Sequence, residues 1–200
     1  MSGGTARWHA GSGQRGLHAD AQRVLAAWAA PDADQESLRQ AYLAHLDAQP
    51  EGMYRHCQPD HLTSSSLIAR RRAGFDEVLL VLHSKAGKWL QTGGHCEPDD
   101  ATLTDAALRE AREESGLEGL TVDPIPLRLS RHAVPFCGDG GHHLDVQFLV
   151  LAPADSKLAI AAGEDDAQWF ALDPAAAPEP TDQDVRDLIA AARSRLPEIP

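Results

Sequence analysis

Cysteine is scarce in this chain, basic residues are outnumbered, and no apolar run approaches the length of a membrane span. The three cysteines, Cys57, Cys96 and Cys137, are odd in number and stand in no CxxC pair. That argues against a disulfide framework and for reduced thiols. Lys and Arg total 18 against 30 Asp and Glu, a net charge of −12. Such a surface repels a polyanion, so extended DNA or RNA binding is not expected. A bilayer-crossing helix needs about eighteen or more apolar residues, and the start, Met1 to Ser12, is glycine-rich and polar without a signal-peptide core. A soluble cytoplasmic protein with no membrane partner is the expectation. What is present is 42% hydrophobic content over 200 residues, enough for one well-buried domain with an accessory helical layer.

After a start that reads as disordered, two helical patterns precede any strand. Ala21, Val24, Leu25 and Trp28 form one apolar stripe, ended near Pro31. Leu38, Tyr42 and Leu46 form another, started near Asp34 and stopped by Pro50. This prefix, residues 1–50, reads as a helical extension that packs on the catalytic core or on a second subunit of a homodimer; a lid over the substrate is a further reading. Ser66 to Arg70, Glu77 to His83 and Trp89 to Gln91 read as strands, with turns at Ala73-Gly74 and Lys85 to Lys88. Further strands are expected within Thr121 to Arg131, which Pro124 and Pro126 interrupt, and at Leu144 to Ala152 and Ala167 to Leu172. The proline-rich stretch Asp173 to Pro180 reads as a linker. A last helix carries Val185, Leu188, Ile189 and Ala192. Helices, strands, helix, strands, helix fits an α/β fold with a mixed sheet sandwiched between helices.

The chemistry concentrates in Arg109-Glu110-Ala111-Arg112-Glu113-Glu114. Thr102 and Asp105 signal a helix start, Gly116 a left-handed stop, so a helix from Leu103 to Ser115 is predicted. At 3.6 residues per turn Glu110, Glu113 and Glu114 emerge on one face, while Leu103, Ala107, Leu108 and Ala111 make the other. Like charges so placed repel. A divalent cation among them relieves that, and hard carboxylate oxygens suit magnesium or manganese. Arg109 reaches Glu113 at the i, i+4 spacing, so one guanidinium is expected to orient a carboxylate. A Glu-x-x-Glu-Glu pattern alone is more often a solvated helix face; the doubled glycine Gly93-Gly94 ahead of it, the arginine before the first glutamate and the glycine stop shift the balance to a metal site.

The segment from Gly94 to Leu117 resembles the signature box of the Nudix hydrolases, G-x5-E-x7-R-E-U-x-E-E-x-G-U, with U a bulky aliphatic. Fourteen residues separate Gly94 from Arg109 where the box has thirteen, and Ala111 is smaller than the usual aliphatic. Thr102 keeps its register ahead of Arg109, which places the extra residue between His95 and Ala101. Counted from the glycine, the first acid of the box is Asp100; counted from the helix, it is Ala101. The resemblance implies a Nudix-type α/β/α sandwich over residues 51–200. It implies Mg2+, with Mn2+ as a substitute, held by Glu110, Glu113, Glu114 and the Gly93 carbonyl. It also implies hydrolysis of the phosphoanhydride bond of a small nucleoside diphosphate derivative. Glu164, in the acidic run before the last strand, is the further catalytic carboxylate such enzymes take from a loop. The alternative is a Nudix-like module that senses a nucleotide metabolite without cleaving it.

Other features carry weaker expectations. His132, His142, His143 and Asp145 lack any His-x3-His or cysteine-containing spacing, so a substrate-contacting or hydrogen-bonded role is favoured over a transition-metal site. His56, Cys57 and His61 read as structural. His95 and Glu97, in the box loop, read as neighbours of the Mg2+ ligands. Trp89 reads as core or as a platform for a base. Arg70-Arg71-Arg72 reads as an edge kept soluble or as a phosphate contact.

Overall fold

The computed structural model describes residues 12–134, 137, 140–158 and 166–199; of the first dozen residues expected to be disordered, 1–11 lie outside them and Ser12 begins a helix. Two helices, α1 (Ser12–Ala27) and α2 (Ala33–Ala48), lead into β1 (His61–Arg72), β2 (Phe75–His83), β3 (Lys88–Leu90) and β4 (Thr92–His95). Then come α3 (Leu103–Ser115), β5 (Thr121–Val122), β6 (Arg128–Val134), β7 (Gly141–Leu151), β8 (Asp166–Ala171) and α4 (Gln183–Arg195). The expected linker at Asp173 to Pro180 holds a short 3-10 turn, Pro174–Ala176. No helix among the described residues is long and apolar enough to cross a membrane.

The strands form one mixed sheet built around β1. Along one edge β1 pairs antiparallel with β4 and then with β2; along the other it runs parallel to β7, with His61 opposite His143 and Ala69 opposite Leu151. β5 and β6 line the far edge of β7 and β8 that of β2, while β3 pairs with β2 on the same edge as β1. β1 is longer than Ser66 to Arg70 because His61, Thr63, Ser64 and Ser65 are buried polar residues that apolar patterning does not register. β4 was hidden for the same kind of reason: its glycines look like a turn.

Side chains alternate across the sheet and sort into two layers. Leu67, Ala69, Val78, Leu80 and Leu149 face α4, where Val185, Leu188, Ile189 and Ala192 are buried as the helical stripe predicted. Leu62, Val146 and Phe148 face the opposite way, against Leu103, Ala106 and Ala107 of α3 and against the α1–α2 pair. The result is an α/β/α sandwich. The apolar stripe of α1 and that of α2 thus lie in the same core as α3. Two polar contacts fix them there: the Gln35 side chain bonds both the backbone N–H and C=O of Leu129 in β6, at 2.7 and 3.0 Å, and Tyr42 Oη donates to the Ser130 carbonyl at 2.7 Å.

Candidate active site

Helix α3 has the limits its caps dictate. Thr102 accepts from the Asp105 amide, and Gly116 takes the left-handed conformation at φ 64°. A cap not legible beforehand comes from α1: buried Asp20 accepts from the Leu103 amide at 2.9 Å, satisfying another of the first-turn donors.

Gly93 and Gly94 are required by close approach. β4 pairs with Ser64 and Ser65 of β1 while its back lies against α3. A Cβ on Gly93 would meet Ser65 Cβ at 2.3 Å, and one on Gly94 would meet Glu110 Oε1 at 2.5 Å. The Glu110 carboxylate therefore rests directly on the strand. Glu114 Oε2 accepts from the Gly93 amide at 3.3 Å. Glu113, 59% exposed, reaches toward solvent from the same helix face.

Arg109 joins these acids. Its Nη1 lies 2.8 Å from Glu110 Oε1 and 3.3 Å from Glu113 Oε2, its Nη2 donates to the His95 carbonyl at 2.9 Å, and Nε and Nη2 grip Asp100 in a bidentate pair at 3.1 and 3.0 Å. The orienting guanidinium is thus Arg109, while Arg112 is exposed. Asp100, only 6% exposed, also accepts from the Glu97 amide at 2.7 Å, so the carboxylate counted from the glycine is the one that anchors Arg109. Burial pushes the Glu110 carboxyl up, against the lowering pull of Arg109 beside it. Glu110 and Glu114 against the glycine strand and Glu113 on the same helix face, with one arginine among them, make an all-oxygen donor set that fits a hard divalent cation. Glu164 lies outside the described residues.

Several other expectations change with the third dimension. His95 was expected beside the Mg2+ ligands, but β4 alternates: Gly94 faces Glu110, so the His95 side chain projects to the opposite face. There it joins His61, Cys137 and His143. His61, His95 and His143 pack ring against ring, with centroids 4.9–5.2 Å apart. Burial holds the His95 imidazole down at about 4 and that of His143 at about 3, and lowers His61 as well. Asp145 accepts from Thr63, Ser65 and Gln147 at 2.9, 2.5 and 3.2 Å. Arg70 is buried, paired with Glu77 at 2.7 Å and stacked on Trp169, and Arg71 donates to carbonyls after α4, so these two arginines are structural. Trp89 packs edge-on against Phe170 in the α4 layer.

A mixed-sheet α/β/α sandwich carrying such a helix defines a class that comparison with known proteins identifies. A model of the NUDIX domain matches residues 61–192, and the chain belongs to that family. Among solved structures, a hydrolase of the NUDIX family from Clostridium perfringens is 25% identical, with a TM-score of 0.53, covering 68% of this chain and 97% of its own. An Ap4A hydrolase from C. elegans is 20% identical (TM-score 0.52, 69% and 98% covered). The NUDIX domain of Shewanella oneidensis NrtR, solved with ADP ribose, is 23% identical (TM-score 0.52, 70% and 90% covered). The search of curated proteins found no match.

Proposed function

We propose that the chain is a Mg2+-dependent hydrolase of the phosphoanhydride bond in a small nucleoside diphosphate derivative, with water as nucleophile. The observation that carries this reading is the placement of Glu110 and Glu114 against Gly93-Gly94, with Glu113 on the same helix face and Arg109 spanning Glu110 and Glu113. Family membership supports it. In this reading Glu110, Glu113, Glu114 and the Gly93 carbonyl hold the ion, Mn2+ serving in place of Mg2+, and Glu164 supplies a further carboxylate.

A diphosphate resists attack because its oxygens are anionic. The bound cation supplies positive charge to offset them and makes water more acidic. Arg109 holds Glu110 and Glu113 at fixed positions, so that no carboxylate has to reorganise as charge develops. The semi-buried seat of Glu110 leaves its charge poorly solvated, which strengthens its attraction for a cation. A carboxylate oxygen of the cluster takes the proton of the attacking water.

The test is to incubate the purified chain with a panel of nucleoside diphosphate derivatives and Mg2+, following products by chromatography. Turnover that disappears with chelator and in Glu114→Gln is expected. Saturable binding across the panel without products would replace the enzyme with a nucleotide-sensing module. Neither binding nor products would overturn both.

A further inference from the structure

On the face of the sheet away from α3, four donors from distant parts of the chain meet at one point. His61 opens β1, His95 closes β4, His143 lies near the start of β7 beside His61, and Cys137 sits in the connection between β6 and β7. One ligating atom from each lies within 4.8 Å of all the others. Cys137 Sγ is 3.5 Å from His95 Nε2 and 3.9 Å from His61 Nε2. A tetrahedral zinc with Zn–N of about 2.0 Å and Zn–S of about 2.3 Å would place such pairs roughly 3.5 Å apart.

Hydrogen bonding alone does not satisfy this group. His61 Nδ1 faces the Cys57 carbonyl at 3.1 Å. A carbonyl only accepts, so that nitrogen carries the proton and Nε2 presents a bare lone pair to Cys137. The thiol can donate to one ring and accept from another. Even then His143 Nε2 stays buried with no hydrogen-bond partner among the described residues. The Cys57 carbonyl is the kind of outer contact that orients a metal-binding imidazole. Gly141 helps close the arrangement, because a Cβ there would meet the Pro59 carbonyl oxygen at 1.7 Å, and only glycine lets the start of β7 lie so close to the segment leading into β1.

We propose that His61, His95, Cys137 and His143 form a closed structural site for a transition-metal ion, Zn2+ by preference, distinct from the carboxylate site on α3. Three imidazoles and a thiolate are borderline-to-soft donors that Mg2+ does not favour. Four protein ligands fill the tetrahedron, which leaves no position for substrate and makes the role structural. On binding, the Cys137 thiol gives its proton to solvent as the S–metal bond forms. The ion ties β1, β4, β7 and the β6–β7 connection together, and through His95 it braces the strand of Gly93 and Gly94 from behind.

The chain is expressed without a polyhistidine tag, dialysed against Mg2+, and its metal content measured by mass spectrometry. About one Zn2+ per chain is expected. It should persist in the Glu110→Gln/Glu113→Gln/Glu114→Gln variant and be lost in Cys137→Ser and His143→Ala. Reconstitution of wild-type protein with Co2+ should give the intense visible bands of a tetrahedral site and a near-ultraviolet thiolate charge-transfer band. This measurement decides the question even where the variants do not fold. A folded wild-type chain that takes up no zinc, or gives only the weak spectrum of octahedral Co2+, overturns the site; so does zinc lost from the carboxylate variant but kept in the His/Cys variants.

Discussion

Two buried aspartates, one on each face of the central sheet, are accommodated in opposite ways. Asp100, 6% exposed, is held by the guanidinium of Arg109. Asp145, 2% exposed, has no ion pair among the described residues and is surrounded by the hydroxyls of Thr63 and Ser65 and the amide of Gln147. A guanidinium only donates, so it commits its partner to being a carboxylate. A hydroxyl can turn and accept instead. The α3 face is therefore rigid in its charge pattern, as a cation site needs. The Asp145 network tolerates a change of hydrogen-bond direction.

Substitutions can break or sharpen that contrast. Arg109→Met should have the largest effect on stability, about 3–5 kcal/mol, because it leaves Asp100 buried without its cation; urea unfolding measures it, and a loss under about 1 kcal/mol would show that Arg109 is not the anchor. Glu110→Gln removes a charge but keeps the shape. Its expected signature is a loss of about 10²–10³ in kcat, the scale for deleting one preorganised electrostatic group, with an unfolding midpoint close to that of the parent.

Gln35→Ala strips the Leu129 amide and carbonyl of their partner at a buried edge and should cost about 1–3 kcal/mol. An unchanged stability would mean that α2 is not secured through this contact. Asp145→Asn should cost only about 1 kcal/mol, since Thr63 and Ser65 can reverse toward the new amide. A loss as large as that of Arg109→Met would erase the distinction between the two faces. Lys88→Ala is the control, because its pair with Asp182 is exposed and worth under about 0.5 kcal/mol; a larger shift in the urea midpoint would mean that this exposed pair does more than a surface contact.

How much was legible in advance depended on whether a feature is written in neighbouring residues. Helix α3 was predicted at Leu103 to Ser115 and is found there, because its caps, its apolar face and its stop all lie within fifteen residues. The stripes of α1, α2 and α4 were legible for the same reason. β1 was read too short, since the alternation of His61, Thr63 and Ser65 with Leu62 and Ser64 does not look apolar. The outcome for Asp100 shows the limit from another side. Counting could not choose between Asp100 and Ala101, and the bidentate grip of Arg109 did.

The His/Cys cluster marks the far end of that scale. Its members stand at 61, 95, 137 and 143, and His142, His143, Asp145 and His132 together suggested only a weak and differently composed site. The one local hint is the five-residue gap between Cys137 and His143. His61 and His95 come to the same point only because β1 runs parallel to β7 and antiparallel to β4.

Read as a string, then, the chain determined the acidic helix, the doubled glycine ahead of it, the helical stripes and the layered α/β class, since each follows from patterns among residues close in the chain. Only the tertiary structure decided which guanidinium holds which carboxylate, that α1 caps α3 and α2 braces β6, and that three histidines and a cysteine share one point. The last of these depends on strand pairing across 82 residues, from His61 to His143, and the others on side-chain contacts that no local pattern encodes. Alternation along a strand then sends His95 away from the glutamates that stand so near it in the chain.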